Sequence, residues 1–154
     1  MRFLFTFLIV MALGSGIAVA QSPGLSPEQR EAILGFPLTL DRANHLIAAM
    51  TAVTQYLVSQ PDYQSRLAQS AKLSAAERIA QMEKDPKVAS ILKQENLTAR
   101  DYLVGVPTLR MALLAAQGLT TPNIVASPAN VAFAKANLAD LKPKMDKADG
   151  LGRR

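Results

Sequence analysis

His45 is the only histidine in the 154-residue chain, and the chain contains no cysteine. Acid–base, nucleophilic or zinc chemistry that depends on an imidazole therefore has to use this one side chain. Neither the G-x-S-x-G motif of serine hydrolases nor a glycine-rich phosphate loop occurs. Asp41 lies one helical turn before His45, and we expect the histidine to be exposed or half-exposed at the surface. His45 is one of two candidates for contact with a ligand or partner.

Arg110 is the one charged residue within the otherwise apolar segment from Tyr102 to Gln117. Its guanidinium stays protonated, so a buried Arg110 needs a partner or a path to water. We expect an internal carboxylate, with Asp41 or Asp140 as candidates, or a side chain that extends to the surface. The functional alternative is that Arg110 holds an anionic ligand or a group of a partner, which makes it the second candidate.

No cofactor and no metal site is predicted. Met50, Met82, Met111 or Met145 could join His45 as haem ligands. However, no C-x-x-C-H attachment motif and no Glu-x-x-His pair occurs. Methionines at helical spacing usually fill cores. No catalytic residue is therefore assigned, and an enzyme is the less favoured class.

The elements that position these side chains are predicted to be helices. Ala, Leu, Gln, Lys and Arg fill the periodic segments, and alternating β-branched runs are missing. The pattern predicts a compact all-α bundle of about seven helices, several of them short. Helix starts are indicated at Ser26, Thr39, Pro61, Ser74, Asp85, Thr98 and Ser127.

The segment 99–117 is predicted to be the buried central helix of this bundle. Pro107 removes a backbone donor there, so we expect a kink, and Gly105 beside it lets another helix approach closely. Pro143 is expected to bend or end the last helix. These boundaries predict one helical domain over residues 21–147 and a disordered basic tail over 148–154.

The first twenty residues have the organisation of a secretory signal peptide. Arg2 precedes an apolar stretch over residues 3–17, and Ala18-Val19-Ala20 provides the small-x-small pattern for cleavage before Gln21. We therefore expect an exported protein, periplasmic or extracellular, without stable membrane insertion after cleavage. The absence of cysteine means that no disulfide and no lipid-modified thiol is formed.

The positive charge of the chain is concentrated towards its end. The chain has 17 Lys and Arg against 12 Asp and Glu, and residues 135–154 contain six of the basic and three of the acidic residues. This distribution leaves the rest of the domain nearly balanced, so a nucleic-acid partner is not expected. Peripheral binding of anionic lipid through the basic tail is an alternative function.

Three short stretches carry a resemblance to a known group. They are Asp41-Arg42-Ala43-Asn44, Leu97-Thr98-Ala99-Arg100-Asp101-Tyr102 and Ser127-Pro128-Ala129-Asn130-Val131-Ala132-Phe133. In this order they resemble small exported bacterial all-helical proteins that are uncharacterised. The resemblance implies export and an all-α fold, and it transfers no catalytic residue.

Taken together, these patterns favour a non-catalytic exported helical module that binds a partner protein or a small apolar ligand. Two alternatives stay open at this point. One is a hydrolase-like envelope enzyme that relies on His45, and the other is the lipid binder with its basic tail.

Overall fold

The computed structural model describes residues 25–119 and 121–152. Within these residues the fold is all-α, as predicted, with eight helices and no strand. The predicted signal peptide lies outside the described residues. The helices are α1 (Pro27–Gly35), α2 (Leu40–Val58), α3 (Tyr63–Ser70), α4 (Ala75–Lys84), α5 (Pro86–Gln94), α6 (Ala99–Ala116), α7 (Pro128–Ala136) and α8 (Leu138–Leu151).

Side-chain caps define where most of these helices begin. Ser26, Ser74 and Thr98 each accept a hydrogen bond from a backbone N–H in the first turn of the helix that follows. The third residue of each of these helices returns a bond to the backbone of its capping residue, which completes a capping box. The capping pattern read from the sequence is thus confirmed, and it fixes short helices that have little stability alone.

Helix α6 is the central helix, as predicted. It contacts α1, α2, α4, α5, α7 and α8. Leu109 and Ala112 are fully buried in it, together with the side chain of Thr108. The hydroxyl of Thr108 donates to the carbonyl of Val104 at 2.7 Å, so this buried polar group is satisfied. Pro107 lies inside α6 without ending it.

Gly105 of α6 lies in close contact with the side chains of Leu46 on α2 and Phe36. A Cβ atom at this position would lie 2.7 Å from Cδ2 of Leu46 and 2.8 Å from Cζ of Phe36. Since real Cβ contacts are longer than this, only glycine fits without a shift of its neighbours. The expectation that Gly105 admits another helix is confirmed.

The C-terminal part of the chain differs from the prediction in two ways. The predicted last helix is divided at Asn137 into α7 and α8, and Pro143 lies inside α8, which continues to Leu151. At the break, both the backbone N–H and the side-chain amide of Asn137 donate to the carbonyl of Phe133, the latter at 2.8 Å.

The predicted disordered tail is wrong for residues 148–151, which form the last turn of α8. Ala148 is only 1% exposed and belongs to the core. Burial of this residue against the body of the protein holds the turn in place. This burial could not be predicted from the polar, glycine-containing sequence around Ala148.

A buried amide joins α7 to the connection between α1 and α2. The side chain of Asn130 accepts a hydrogen bond from the backbone N–H of Leu38 at 3.1 Å and donates to the carbonyl of Phe36 at 2.9 Å. Asn130 is 3% exposed, so neither backbone group has ready access to water as a substitute. This amide fixes the path of the chain into α2.

Candidate functional site

Arg110 points to a carboxylate of the protein itself. Its Nη2 donates to Oδ1 of Asp149 on α8, and it also lies 3.9 Å from the sulfur of Met50. The side chains of Arg110 and Asp149 are 18% and 15% exposed. The expectation of an internal carboxylate partner is confirmed, and the pair ties the last turn of α8 to the middle of α6.

The prediction that Asp41 or Asp140 is the partner of Arg110 is wrong. Asp41 lies beside His45, and Asp140 accepts from the ammonium of Lys144 at 2.8 Å, one turn along α8. Asp149 was missed because it was assigned to a disordered tail. No local sequence signal marks it, since its proximity to α6 arises only when α8 packs against the body.

His45 joins α2 to the end of α5. Its Nδ1 lies 2.9 Å from Oε2 of Glu95, and its Nε2 lies 3.5 Å from Oδ1 of Asp41. The side chain is 33% exposed, which confirms the half-exposed surface position. The hydrogen bond to Glu95 and the negative charge of Asp41 raise the pKa of His45 above its ordinary value.

This arrangement limits what His45 can do chemically. Glu95 could orient the ring as the carboxylate does in a catalytic triad, but Nε2 then faces Asp41. No serine or threonine among the described residues hydrogen-bonds to His45 in the positions observed. The geometry supports a structural link between two helices better than a general base.

A second ion pair lies beside this link. The guanidinium of Arg42 covers the ring of Phe36 with a distance of 4.6 Å to its centroid, and its Nη2 lies 3.7 Å from Oδ1 of Asp101. Asp101 also completes the capping box with Thr98 at the start of α6. The beginning of α2 is therefore connected to both ends of the α5–α6 connection, by His45 on one side and Arg42 on the other.

Next to the α5–α6 connection the surface carries an open depression of about 420 Å³. We call it the α4–α6 depression. Helix α4 contributes Met82 and Glu83, α5 contributes Ala89, Leu92 and Lys93, and the remaining wall is formed by residues 96–99. The depression is open to solvent and does not enclose a ligand in the way that small-molecule pockets usually do.

The wall formed by residues 96–99 has an unusual backbone. Asn96 adopts a left-handed conformation with φ of 53°, and the N–H of Leu97 donates to the carbonyl of Leu92 at 2.9 Å. This is the hydrogen bond of a Schellman motif, which ends α5 directly before Thr98 caps α6. An Asn followed closely by a helix-capping Thr is a sequence signal that could have located this tight turn, although not the depression beside it.

The depression has an apolar floor, and its lining contains one cation and one carboxylate, Lys93 and Glu83. Leu92 and Leu97 are 3% and 8% exposed, so they form the floor. Lys93 lies in the lining, Arg100 follows its last residue, and neither forms an ion pair with another described residue. Glu83 is the one carboxylate of the lining.

The other candidate features do not form a site in the part of the chain that the structure describes. No group of His, Asp and Glu there could hold a metal ion. Met50, Met111 and Met145 are buried with the core, whereas Met82 borders the depression. Within the same residues, no helix combines the length and the hydrophobicity needed to cross a membrane.

The basic C-terminal segment is partly neutralised within α8. Lys142 pairs with Asp146, and Lys144 pairs with Asp140 and donates to the amide oxygen of Asn44 at 3.1 Å. These contacts reduce the positive charge that α8 offers to an anionic lipid surface.

Comparison of the chain with models of protein families, with curated protein sequences and with solved structures finds no match.

Proposed function

We propose that this protein is a non-catalytic helical module that binds a partner protein through the α4–α6 depression. The observation that carries the proposal is the apolar floor of Leu92 and Leu97 at the bottom of an open recess. Apolar residues at the base of a recess with a polar rim are typical of sites that receive an anchor side chain of a partner.

The open shape favours a protein segment over a small apolar ligand. Pockets for small molecules usually enclose most of the ligand, whereas this recess is open to solvent on one side. A partner that extends beyond the recess can cover its rim and exclude water from the anchor. The same open shape leaves one face of a small apolar molecule in water.

Charge at the rim indicates the chemistry of the partner. Lys93 of the lining has no carboxylate partner among the described residues, nor has Arg100, which follows the last lining residue in the sequence, and Glu83 is the single acidic group of the lining. A partner segment with one apolar side chain flanked by Asp or Glu therefore complements the depression. Such rim charges contribute mainly to the rate of association and its salt dependence.

The test uses a synthetic peptide with a central leucine between glutamates, and a second peptide in which lysines replace the glutamates. We expect the acidic peptide to bind and the basic one to bind at least about tenfold more weakly, which corresponds to about 1.4 kcal/mol. Fluorescence anisotropy or calorimetry measures both affinities, and added salt should weaken the acidic complex.

Matched variants locate the binding site. Lys93→Glu and Lys135→Glu make the same change in the last turn of α5 and of α7, and only Lys93 lines the depression. The proposal predicts a loss of about tenfold in affinity for Lys93→Glu and no change for Lys135→Glu. Equal affinities in the two variants, or a preference for the basic peptide, would overturn it.

We infer in addition that the module acts after export. Support comes from the charged, apolar and small-residue order of residues 1–20, which lie outside the described residues. The mass of the intact protein from its natural host is the test. A mature protein that begins at Gln21 supports export, and a protein that retains residues 1–20 contradicts it.

A further inference from the structure

We propose that His45 is a pH-dependent latch that sets the shape of the α4–α6 depression by holding Glu95. The inference rests on the docking function proposed above, because it assigns a regulator to that same surface. Its basis is that Glu95 contacts the imidazole and directly precedes Asn96, where the wall of the depression begins.

A change at Glu95 reaches the depression through the backbone that follows it. Glu95 ends α5, and the next residue, Asn96, has the left-handed backbone that begins the wall. Thr98 then caps α6, so only a short connection separates the latch from two fixed helices. Because this connection is short and Leu97 is buried within it, a displacement of the Glu95 backbone is passed on to residues 96–98.

The charged groups that contact the imidazole are carboxylates. Glu95 of α5 and Asp41 of α2 are the charged groups in contact with it among the described residues. On the sides packed against α6 and α8, Asp101 is paired with Arg42, and Lys144 is bonded to Asn44, the residue next to His45. The imidazole therefore responds to two carboxylates and to no contacting cation.

Protonation of His45 strengthens the contact between α2 and α5. The imidazolium donates from Nδ1 to Glu95 and attracts Asp41 with Nε2, so the protonated form holds α2 and α5 together. After loss of the proton, the neutral imidazole of His45 has one N–H. If Nδ1 keeps this hydrogen for its bond to Glu95, the lone pair of Nε2 faces Asp41. Because both carboxylates raise the pKa of His45, the latch is closed in mildly acidic solution and loosens as the pH rises through that raised value.

The experiment is an NMR titration of the free protein, with no peptide present. His45 is the only histidine of the chain, so its ring resonances report one protonation event. We expect the backbone amides of residues 96–98 to shift with the same midpoint as the ring. Amides of 96–98 that show no inflection at the ring midpoint would overturn the latch.

Two variants separate the latch from a general effect of pH. In Glu95→Gln, we expect the midpoint of His45 to fall and the matching inflection at residues 96–98 to disappear. Asp146→Asn removes an exposed carboxylate of α8 and should leave both unchanged. An inflection at 96–98 that persists unchanged in Glu95→Gln or in His45→Gln contradicts the proposal.

The titration also distinguishes the two proposals from each other. A coupled titration in a protein that fails to bind the acidic peptide leaves the latch in place and refutes only the docking function. If the peptide binds and the latch operates, its affinity should be higher below the midpoint of His45 than above it. Binding with a pH-independent affinity, together with uncoupled amides, refutes only the latch.

Discussion

Replacing Asp149 by alanine should destabilise the protein far more than the position near the end of the chain suggests. The carboxylate pairs with Arg110, and the two side chains are only 15% and 18% exposed. Breaking a fully buried pair by removing one partner costs about 3–5 kcal/mol, so we expect about 2–3 kcal/mol for this slightly exposed pair. Arg110→Met also leaves one charge, the Asp149 carboxylate, without its partner, but its apolar side chain keeps part of the packing of the stem, so we expect a smaller cost of about 1–2 kcal/mol.

Urea unfolding of the two single variants and the double variant measures this effect. Because the double variant leaves no unpaired charge, we expect a coupling free energy of about 1–2 kcal/mol between the two positions. Asp146→Ala is the matched control on α8, since its pair with Lys142 is 61% and 40% exposed. Exposed pairs contribute about 0.5 kcal/mol or less. An Asp149→Ala variant as stable as Asp146→Ala, or strictly additive effects, would refute this reasoning.

Three further predictions concern the packing, the buried amide and the pH dependence. Gly105→Ala should lower the free energy of unfolding by about 1–2 kcal/mol despite its gain in helix propensity, because the new Cβ meets the buried side chain of Leu46. Gly150→Ala, with no atom within 4 Å of the new Cβ, is the control that should not destabilise. Asn130→Ala should cost about 2–3 kcal/mol in urea unfolding, since it leaves a buried N–H and a buried carbonyl unpaired. The stability difference between the protein and its His45→Gln variant should be largest below pH 6.5 and should decrease as the pH rises through the raised pKa, because the folded state binds the proton more tightly than the unfolded state. A difference that grows with pH would contradict the assigned ion pairs.

Local sequence signals were sufficient for most of the helices and for the central position of α6. Capping residues act within three or four positions of the backbone groups that they satisfy, so Ser74 and Thr98 mark helix starts without tertiary information. The burial of α6 follows from a segment that is apolar on nearly all sides. Gly118 follows the same helix with φ of 81°, the left-handed conformation that glycine adopts readily at helix ends.

The contacts of the candidate residues depend on packing between distant segments, and the sequence could not supply them. Glu95 is 50 positions from His45, and Asp149 is 39 positions from Arg110. The sequence contains several carboxylates that could pair with each of these cations, and only the packing of the helices determines which one does. The chemical kind of partner could be predicted from the cost of a buried charge, but the identity of the partner could not.

The α4–α6 depression was missed for a related reason. Its lining comes from three helices, and Leu92 and Leu97 look like ordinary core residues in the sequence. Their spacing gives no indication that one edge of this part of the core is open to solvent. Only the Asn96 turn, where one helix ends and the next begins within a few residues, has a local signature.

Mapping of the acidic leucine peptide onto the protein by amide chemical shifts tests the docking function most directly. The account predicts that the largest shifts occur at Ala89, Leu92, Lys93 and residues 96–99, and that about tenfold more peptide is needed to produce them in Lys93→Glu but not in Lys135→Glu. Shifts that are absent at these positions, or that lie instead along α8, would contradict the docking function.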